Sequence, residues 1–195
     1  MGLRLITPPT SEPLTLQEVK THLRVDGEAD DSLINSLILS ARQYAEKFQS
    51  RALLTQTWEL TLDHFPAMPF RLPLPPLQSV DEISYTDYAG NTTVIDAADY
   101  VVDTASFLGR IDHAFGKYWP SVTLRPINGV KITFTAGYGD TAADVPDMTK
   151  QAMKVLIGHW YENRQAIVFT GTNSTPQEIP FAVTALLTMD RVVSW

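Results

Sequence analysis

The chain of 195 residues contains no cysteine. Disulfides, a thiol nucleophile and cysteine-ligated zinc or iron-sulfur sites are therefore excluded. The sequence also lacks a run of eighteen apolar residues, and its first residues have only a short apolar stretch before the prolines. From these absences we expect neither a membrane span nor a signal peptide, and we predict a cytoplasmic protein.

Positive charge is also scarce, with 15 Lys and Arg against 22 Asp and Glu and a net charge of −7. Residues 57–145 hold five basic and eleven acidic side chains, which is most of the excess. An acidic segment repels phosphate, which argues against a groove that grips DNA. Two interpretations stay open: a β surface that carboxylates keep soluble, or a wall past which DNA slides without sticking.

The sequence contains few patterns typical of a catalytic or metal-binding site. Its four histidines, His22, His64, His113 and His159, are scattered, and none has a second ligand at the spacing of a helical zinc site. There is no Gly-x-Ser-x-Gly elbow and no P-loop lysine. We predict no catalytic, metal or cofactor residues. A hydrolase that uses Asp112, His113 and a serine is the lowest-ranked alternative.

Helical patterns lie near the two ends of the chain. Residues 31–50 and 146–164 carry apolar side chains at spacings of three, four and seven, which predicts two amphipathic helices. Thr15 and Glu18 have the spacing of a capping box that opens a shorter helix, and Pro180 begins a last one. Neither long helix can bury its apolar face alone, so we expect the two ends of the chain to pack together.

The middle of the chain has the patterns of β structure. Residues 56–65 alternate apolar and polar side chains, and residues 80–86 and 92–95 flank a turn cluster typical of a hairpin. Further short strands are predicted at 100–103, 110–112, 122–124 and 130–135. The proline-rich segment 65–77 is interpreted as an extended connector, with an SH3-type ligand as the alternative.

These patterns predict an α+β fold. A small helical bundle is expected from residues 1–56 and 144–195, and residues 57–143 are expected to form an inserted antiparallel β-sandwich or barrel-like lobe. The polar segment 170–177 is predicted to be a mobile loop.

The last helix is apolar on nearly every side, so we expect a partner to cover it. Near the end of the preceding helix, two large aromatic residues and an arginine are of the types that dominate interface hot spots, although the first of them also fits a core position. We predict a protein interface, with a partner protein or a neighbouring subunit, that comprises Trp160, Tyr161, Arg164, Phe181, Leu186, Leu187, Met189, Val192, Val193 and Trp195.

Several segments support a resemblance to a known family. They are LTLQEVK at 14–20, the acidic pair at 30–31 with its long helix, LPLPPLQSV at 72–80, FTAGYG at 134–139 and HWYENR at 159–164. In this order and spacing they resemble the head-tail connector proteins of long-tailed DNA bacteriophages and of the gene transfer agents derived from them. The later segments are similar to a longer branch of that family, which carries a β insertion.

The resemblance implies a structural, non-enzymatic head-completion adaptor without cofactors. Copies would form a ring, expected to be twelvefold, beneath the portal protein. The ring would extend the DNA channel without binding DNA specifically, and it would dock a tail-side stopper or terminator. The protein would be cytoplasmic during assembly and then part of the particle neck, away from membranes.

The resemblance also implies that the carboxy-terminal segment reaches toward the portal. The assignment of Phe181, Leu187 and Trp195 to that contact is our own hypothesis. The alternative function is a β-sandwich module that binds carbohydrate or a tail partner, with the helices as an attachment base.

Overall fold

The computed structural model describes residues 1–163, 167–170, 173–176 and 179–192, with side chains described for 1–163 and 179–192. The chain divides into two compact units. The β unit consists of Met1–Thr10 and Thr55–Tyr138, and the helical unit consists of Ser11–Leu54 and Gly139–Trp195.

The β unit contains two antiparallel sheets. The larger has the order β1-β2-β8-β4-β5, and the smaller has the order β3-β7-β6. The strands are β1 Gly2–Thr7, β2 Gln56–Leu62, β3 Phe70–Arg71, β4 Leu77–Thr86, β5 Thr92–Val94, β6 Tyr100–Asp103, β7 Arg110–His113 and β8 Val130–Ala136.

Strand β8 is the centre of the larger sheet because it pairs with β2 on one side and β4 on the other. Its side chains alternate strictly, with Val130, Ile132, Phe134 and Ala136 buried and the residues between them half-buried. This is the period of two expected for a strand with one face against a core. The larger sheet is open, since β1 and β5 are its edges, so it is not the closed barrel that the sequence left as an option.

Two features of this unit differ from the sequence-based expectation. Residues 1–10 were assigned to the helical domain but form β1 and belong to the β unit. Residues 122–124 were predicted as a strand but form only an isolated bridge, between Leu124 and Asp87. Pro120 and Pro126 flank this segment, and because proline has no amide hydrogen, they limit how far its pairing can extend.

The helical unit contains α1 Leu16–Leu23, α2 Asp31–Gln49, α3 Asp147–Glu162 and α4 Phe181–Thr188. The capping box of α1 is formed: Glu18 N donates to Thr15 Oγ1, and Thr15 N donates to the Glu18 carboxylate at 2.8 Å. Helix α2 buries one stripe of side chains, and α3 and α4 pack against it. Helices from both ends of the chain therefore lie in one unit, which confirms the predicted α+β fold class.

Two details of the helical unit were predicted incorrectly. The expected inner face of α3 was Met148, Ala152, Val155, Leu156, His159 and Trp160, whereas the structure buries Thr149, Ala152, Met153, Leu156 and Ile157. Both sets fit a period of 3.6, so periodicity alone could not choose between them. The segment expected to be a loop, 170–177, instead includes β10 Asn173–Pro176, which pairs with β9 Ile167–Thr170.

Candidate protein interface

Helix α4 has one buried side and one exposed side. Val183 and Leu187 are 0% and 1% exposed, whereas Phe181 and Met189, just beyond the end of the helix, are 84% and 69% exposed. Leu186 is half-buried. The helix therefore does not expose apolar side chains on every side, because other elements of its own unit cover Leu187. The outer side still presents large apolar groups to solvent.

The segment after α4 is held by the end of α2. The Gln49 side-chain amide donates to Thr149 Oγ1 and to the Leu187 carbonyl, both at 3.2 Å. Arg51 Nε donates to the Asp190 carbonyl at 2.5 Å, and the Val192 amide donates to the Gln49 carbonyl. These bonds fix Val192, which is half-buried, and set the position from which the exposed Met189 projects.

Trp160 and Tyr161 are both half-buried and both have partners inside the helical unit. The Trp160 ring lies edge-on to Tyr44, with 6.1 Å between centroids. The Tyr161 hydroxyl donates to an Asp30 carboxylate oxygen at 2.5 Å. Part of each side chain thus has a structural role. The other predicted interface residues, Arg164, Val193 and Trp195, lie outside the described residues.

The Asp112–His113 pair does not form a catalytic arrangement. Asp112 Oδ1 accepts a hydrogen bond from the His113 backbone amide, not from the imidazole. The His113 ring packs against Trp119 with 4.8 Å between centroids, and its buried Nδ1 has no partner within the part of the chain that the structure describes. Across those same residues there is no cluster of three His, Asp or Glu side chains that could hold a metal ion.

An aromatic cluster in the β unit was not anticipated from the sequence. Phe65 stacks on Trp119 with 5.1 Å between centroids and meets the edge of Tyr85. Trp119 Nε1 donates to the Pro66 carbonyl at 2.9 Å. The cluster anchors the start of the proline-rich connector to β4. Its members are far apart in sequence and follow no period, which is why no local signal identified them.

Four of the six basic side chains of the β unit lie beside carboxylates. Arg4 and Lys131 both lie beside Glu59, at 3.1 and 3.6 Å. Two further pairs are Arg110 with Asp103 and Lys117 with Asp99. Guanidinium and ammonium groups that already face carboxylates are poor ligands for phosphate, because binding would need the existing ion pairs to break or share charge.

Hydrogen bonds favour the ionised form of two acidic side chains of this unit. Hydrogen bonds from the Ser106 hydroxyl and amide, with a further one from Arg110, lower the pKa of Asp103 to about 2. Hydrogen bonds from Asn91 likewise lower the pKa of Asp87. A hydrogen bond to the charged form of a carboxylate favours that form. Asp87 and Asp103 are therefore negatively charged at neutral pH.

Residues 13–107 match the family model described as phage gp6-like head-tail connector protein. Three solved structures are similar over the whole chain, each 27% identical and covered over 97% of its own length. They are a neck of an empty gene transfer agent particle computed with C6 symmetry and a native gene transfer agent virion, both with a TM-score of 0.79, and a native neck computed with C12 symmetry, with a TM-score of 0.76.

No curated protein matches the chain in sequence. Among the described residues, no helix is long and apolar enough to cross a membrane. The family match covers α1, α2 and much of the β unit, and the solved structures extend the similarity to the remaining helices. The resemblance inferred from the sequence is therefore confirmed: residues 13–107 match the model of the phage gp6-like head-tail connector proteins, and the whole chain is similar to proteins of gene transfer agent particles and their necks.

Proposed function

We propose that copies of this chain form a ring in the neck of a tailed phage or gene transfer agent particle. The ring lies beneath the portal, extends the DNA channel and docks the next tail component. The observation that carries this proposal is the similarity of the entire chain to proteins solved in particle necks. The C6 and C12 symmetries of those necks support a cyclic arrangement of copies.

The charges of the β unit support a channel that does not retain DNA. Four of its six cations are paired with carboxylates, and residues 57–145 carry an excess of acidic side chains. Such a surface repels phosphate weakly and releases few counterions on contact, so DNA passes it without being held.

The outer side of α4 is proposed as the portal contact. It combines the exposed Phe181 and Met189 with the half-buried Leu186 and Val192. Arg164, Val193 and Trp195 are proposed to extend this surface, with Trp160 and Tyr161 at its border. Leu187 is left out of the contact because it is 1% exposed and serves the core of the helical unit. Large apolar side chains that are exposed together mark interaction sites.

The test is a mixture of the purified protein with purified portal rings, imaged by electron microscopy. We expect a ring of this protein on the portal. The aspartate variants Phe181→Asp and Met189→Asp should each reduce portal binding at least tenfold. Leu39→Asp, at a residue of α2 that is 41% exposed, is the matched control and should bind as the unaltered protein does.

The possible outcomes separate two ideas. Failure of the unaltered protein to bind any portal would refute the adaptor function. Normal binding by both aspartate variants would refute the α4 contact alone. Point variants are preferable to deletion of α4, because deletion would also remove Val183 and Leu187 from the core and unfold the helical unit.

The family is structural, and we propose that this chain has no enzymatic activity. Asp112 Oδ1 accepts from the His113 backbone amide, so this contact is not the carboxylate–imidazole pair on which the Asp112–His113 hydrolase alternative depends. Incubation with generic esterase and glycosidase substrates should give no turnover above buffer, and turnover that Asp112→Asn abolished would refute the proposal.

A further inference from the structure

Strand β1 is an open edge of the five-stranded sheet. It pairs with β2 from Gly2, opposite Thr61, to Leu5, opposite Trp58, and among the described strands none lies on its other side. All six of its residues are exposed. In an antiparallel pair, alternate residues direct their N–H and C=O groups away from the neighbouring strand. The outer edge of β1 therefore offers main-chain donors and acceptors to solvent.

The residues of β1 do little to protect this edge. Leu3, Leu5 and Ile6 are 40%, 41% and 43% exposed, and the strand contains no proline or lysine. The irregular pairing that follows Leu5 affects only the end of the strand. Exposed apolar edge strands without such protection are sites where another strand can be added.

The opposite edge of the same sheet has complementary charge. Of the strands that the structure describes, β5 pairs with β4 alone. All three of its residues are exposed, including Val94 at 57%. Asp87 and Asp96 flank the strand, and Asp87 is fixed by hydrogen bonds from Asn91. The charged residue of β1 is Arg4, whose side chain is 69% exposed. One of its guanidinium nitrogens donates to Glu59 at 3.1 Å, and a guanidinium has further N–H donors with which it can share its charge with a second carboxylate.

Ring symmetry requires two different surfaces on each copy. In a closed ring of more than two copies, each subunit meets its neighbours through a heterologous contact. Pairing of β1 with another β1 would be isologous and would stop at a dimer. Pairing of β1 with β5 joins opposite edges of the sheet and can continue from copy to copy.

We propose that β1 of one copy adds to the β5 edge of the next in the neck ring, an inference that rests on the function proposed above. The occupant of the open edge is thus a second copy of this chain. In this contact Arg4 approaches the carboxylates of Asp87 and Asp96, and Leu3 and Leu5 lie against Val94. Because β5 is only three residues long, the contact supplies few main-chain hydrogen bonds and forms only on the portal.

The absence of cysteine permits a direct test by cross-linking. The double variant Leu5→Cys/Thr93→Cys is assembled on portal rings and treated with a short bismaleimide. A bismaleimide is used because the proposal does not fix which residue of β1 faces which residue of β5, and this linker tolerates a shift between the two cysteines. Denaturing electrophoresis should show a ladder of linked chains up to the full ring. The two single variants are matched controls and should remain monomeric, since each supplies only one side of a heterologous contact.

A second variant does not depend on the cross-linking geometry. Arg4→Glu should reduce the yield of rings on the portal at least tenfold, whereas Arg71→Glu, an exposed arginine of β3, should leave it unchanged. Circular dichroism checks that both variants fold.

The results distinguish failure of the proposed β1–β5 contact from failure of the proposed ring. Normal rings that give neither a ladder nor an effect of Arg4→Glu would overturn the β1–β5 contact and leave the proposed function standing. Linked dimers from Leu5→Cys alone would show twofold β1 pairing and also overturn it. If the unaltered protein forms no ring, both proposals fail.

Discussion

Gln49 is fully buried at the end of α2, yet its side chain is polar. Its amide nitrogen satisfies the Thr149 hydroxyl and the Leu187 carbonyl, which belong to α3 and α4. Its Oε1 has no partner in the described part of the molecule. One residue therefore links three helices that come from opposite ends of the chain.

Gln49→Leu should destabilise the protein by about 1–3 kcal/mol, because it leaves two buried polar groups without their partner. This loss of stability is partly offset, because the substitution also removes the buried Oε1 that has no hydrogen-bond partner in the described residues. The measurement is the free energy of unfolding in urea. Gln43→Leu, at an exposed position of the same helix, is the matched control and should change stability by less than about 0.5 kcal/mol. Equal effects of the two variants would contradict this role for Gln49.

Asp103 should titrate near pH 2, well below its ordinary pKa of 3.8. Since the folded-state pKa is lowered, its ionised form stabilises the fold above about pH 4, and this contribution is lost as the pH falls through 2. The measurement is an NMR titration of the carboxyl carbon. Ser106→Ala removes the hydroxyl donor and should raise the pKa of Asp103; an unchanged pKa would contradict the assigned cause.

At the scale of the element, α1 depends on its first turn because it has only eight residues. Such a short helix has little stability of its own, so each hydrogen bond to an amide of its first turn contributes noticeably to its stability. The hydrogen bonds from the Thr15 amide and hydroxyl lower the pKa of Glu18, which keeps the capping carboxylate charged.

Thr15→Ala should cost about 1 kcal/mol of stability, because the amide of Glu18 loses its acceptor. Thr15→Ser keeps the hydroxyl and should cost much less. Thermal unfolding followed by circular dichroism compares the two variants with the unaltered chain. Equal losses in the serine and alanine variants would mean that the methyl group, rather than the cap, is what matters.

Elements with a clear local period were predicted well. Helix α2 was expected at 31–50 and spans Asp31–Gln49, and the strand expected at 100–103 is Tyr100–Asp103. Strand β1 was missed, because a short exposed strand becomes ordered only through pairing with β2, more than fifty residues away. The buried face of α3 was also predicted incorrectly, since two different sets of its side chains fitted a period of 3.6 residues.

At the scale of the whole molecule, we predict that the isolated protein is a monomer or a weak oligomer. The α4 surface and the β edges are expected to be satisfied only when copies are arranged on the portal. Native mass spectrometry at micromolar concentration is the measurement. A stable ring without portal would contradict the prediction.

The isolated protein should also fail to bind double-stranded DNA. Its net charge of −7 and the pairing of four of the six β-unit cations with carboxylates disfavour phosphate contacts. Fluorescence anisotropy with a labelled duplex at low salt, where electrostatic binding is strongest, is the measurement. Tight binding that weakens steeply with added salt would contradict a non-adhesive channel.

The sequence by itself determined the fold class, the lack of thiol chemistry, the acidic middle of the chain and the family resemblance. These follow from composition, local periodicity and short motifs, which need no knowledge of distant contacts. The tertiary structure decided which apolar residues of α4 are core and which are surface, since Leu187 and Phe181 look alike in sequence and differ only in whether α2 and α3 cover them. It also decided that β1 and β5 are the two open edges of one sheet, because strand order is set by pairing between segments far apart in the chain.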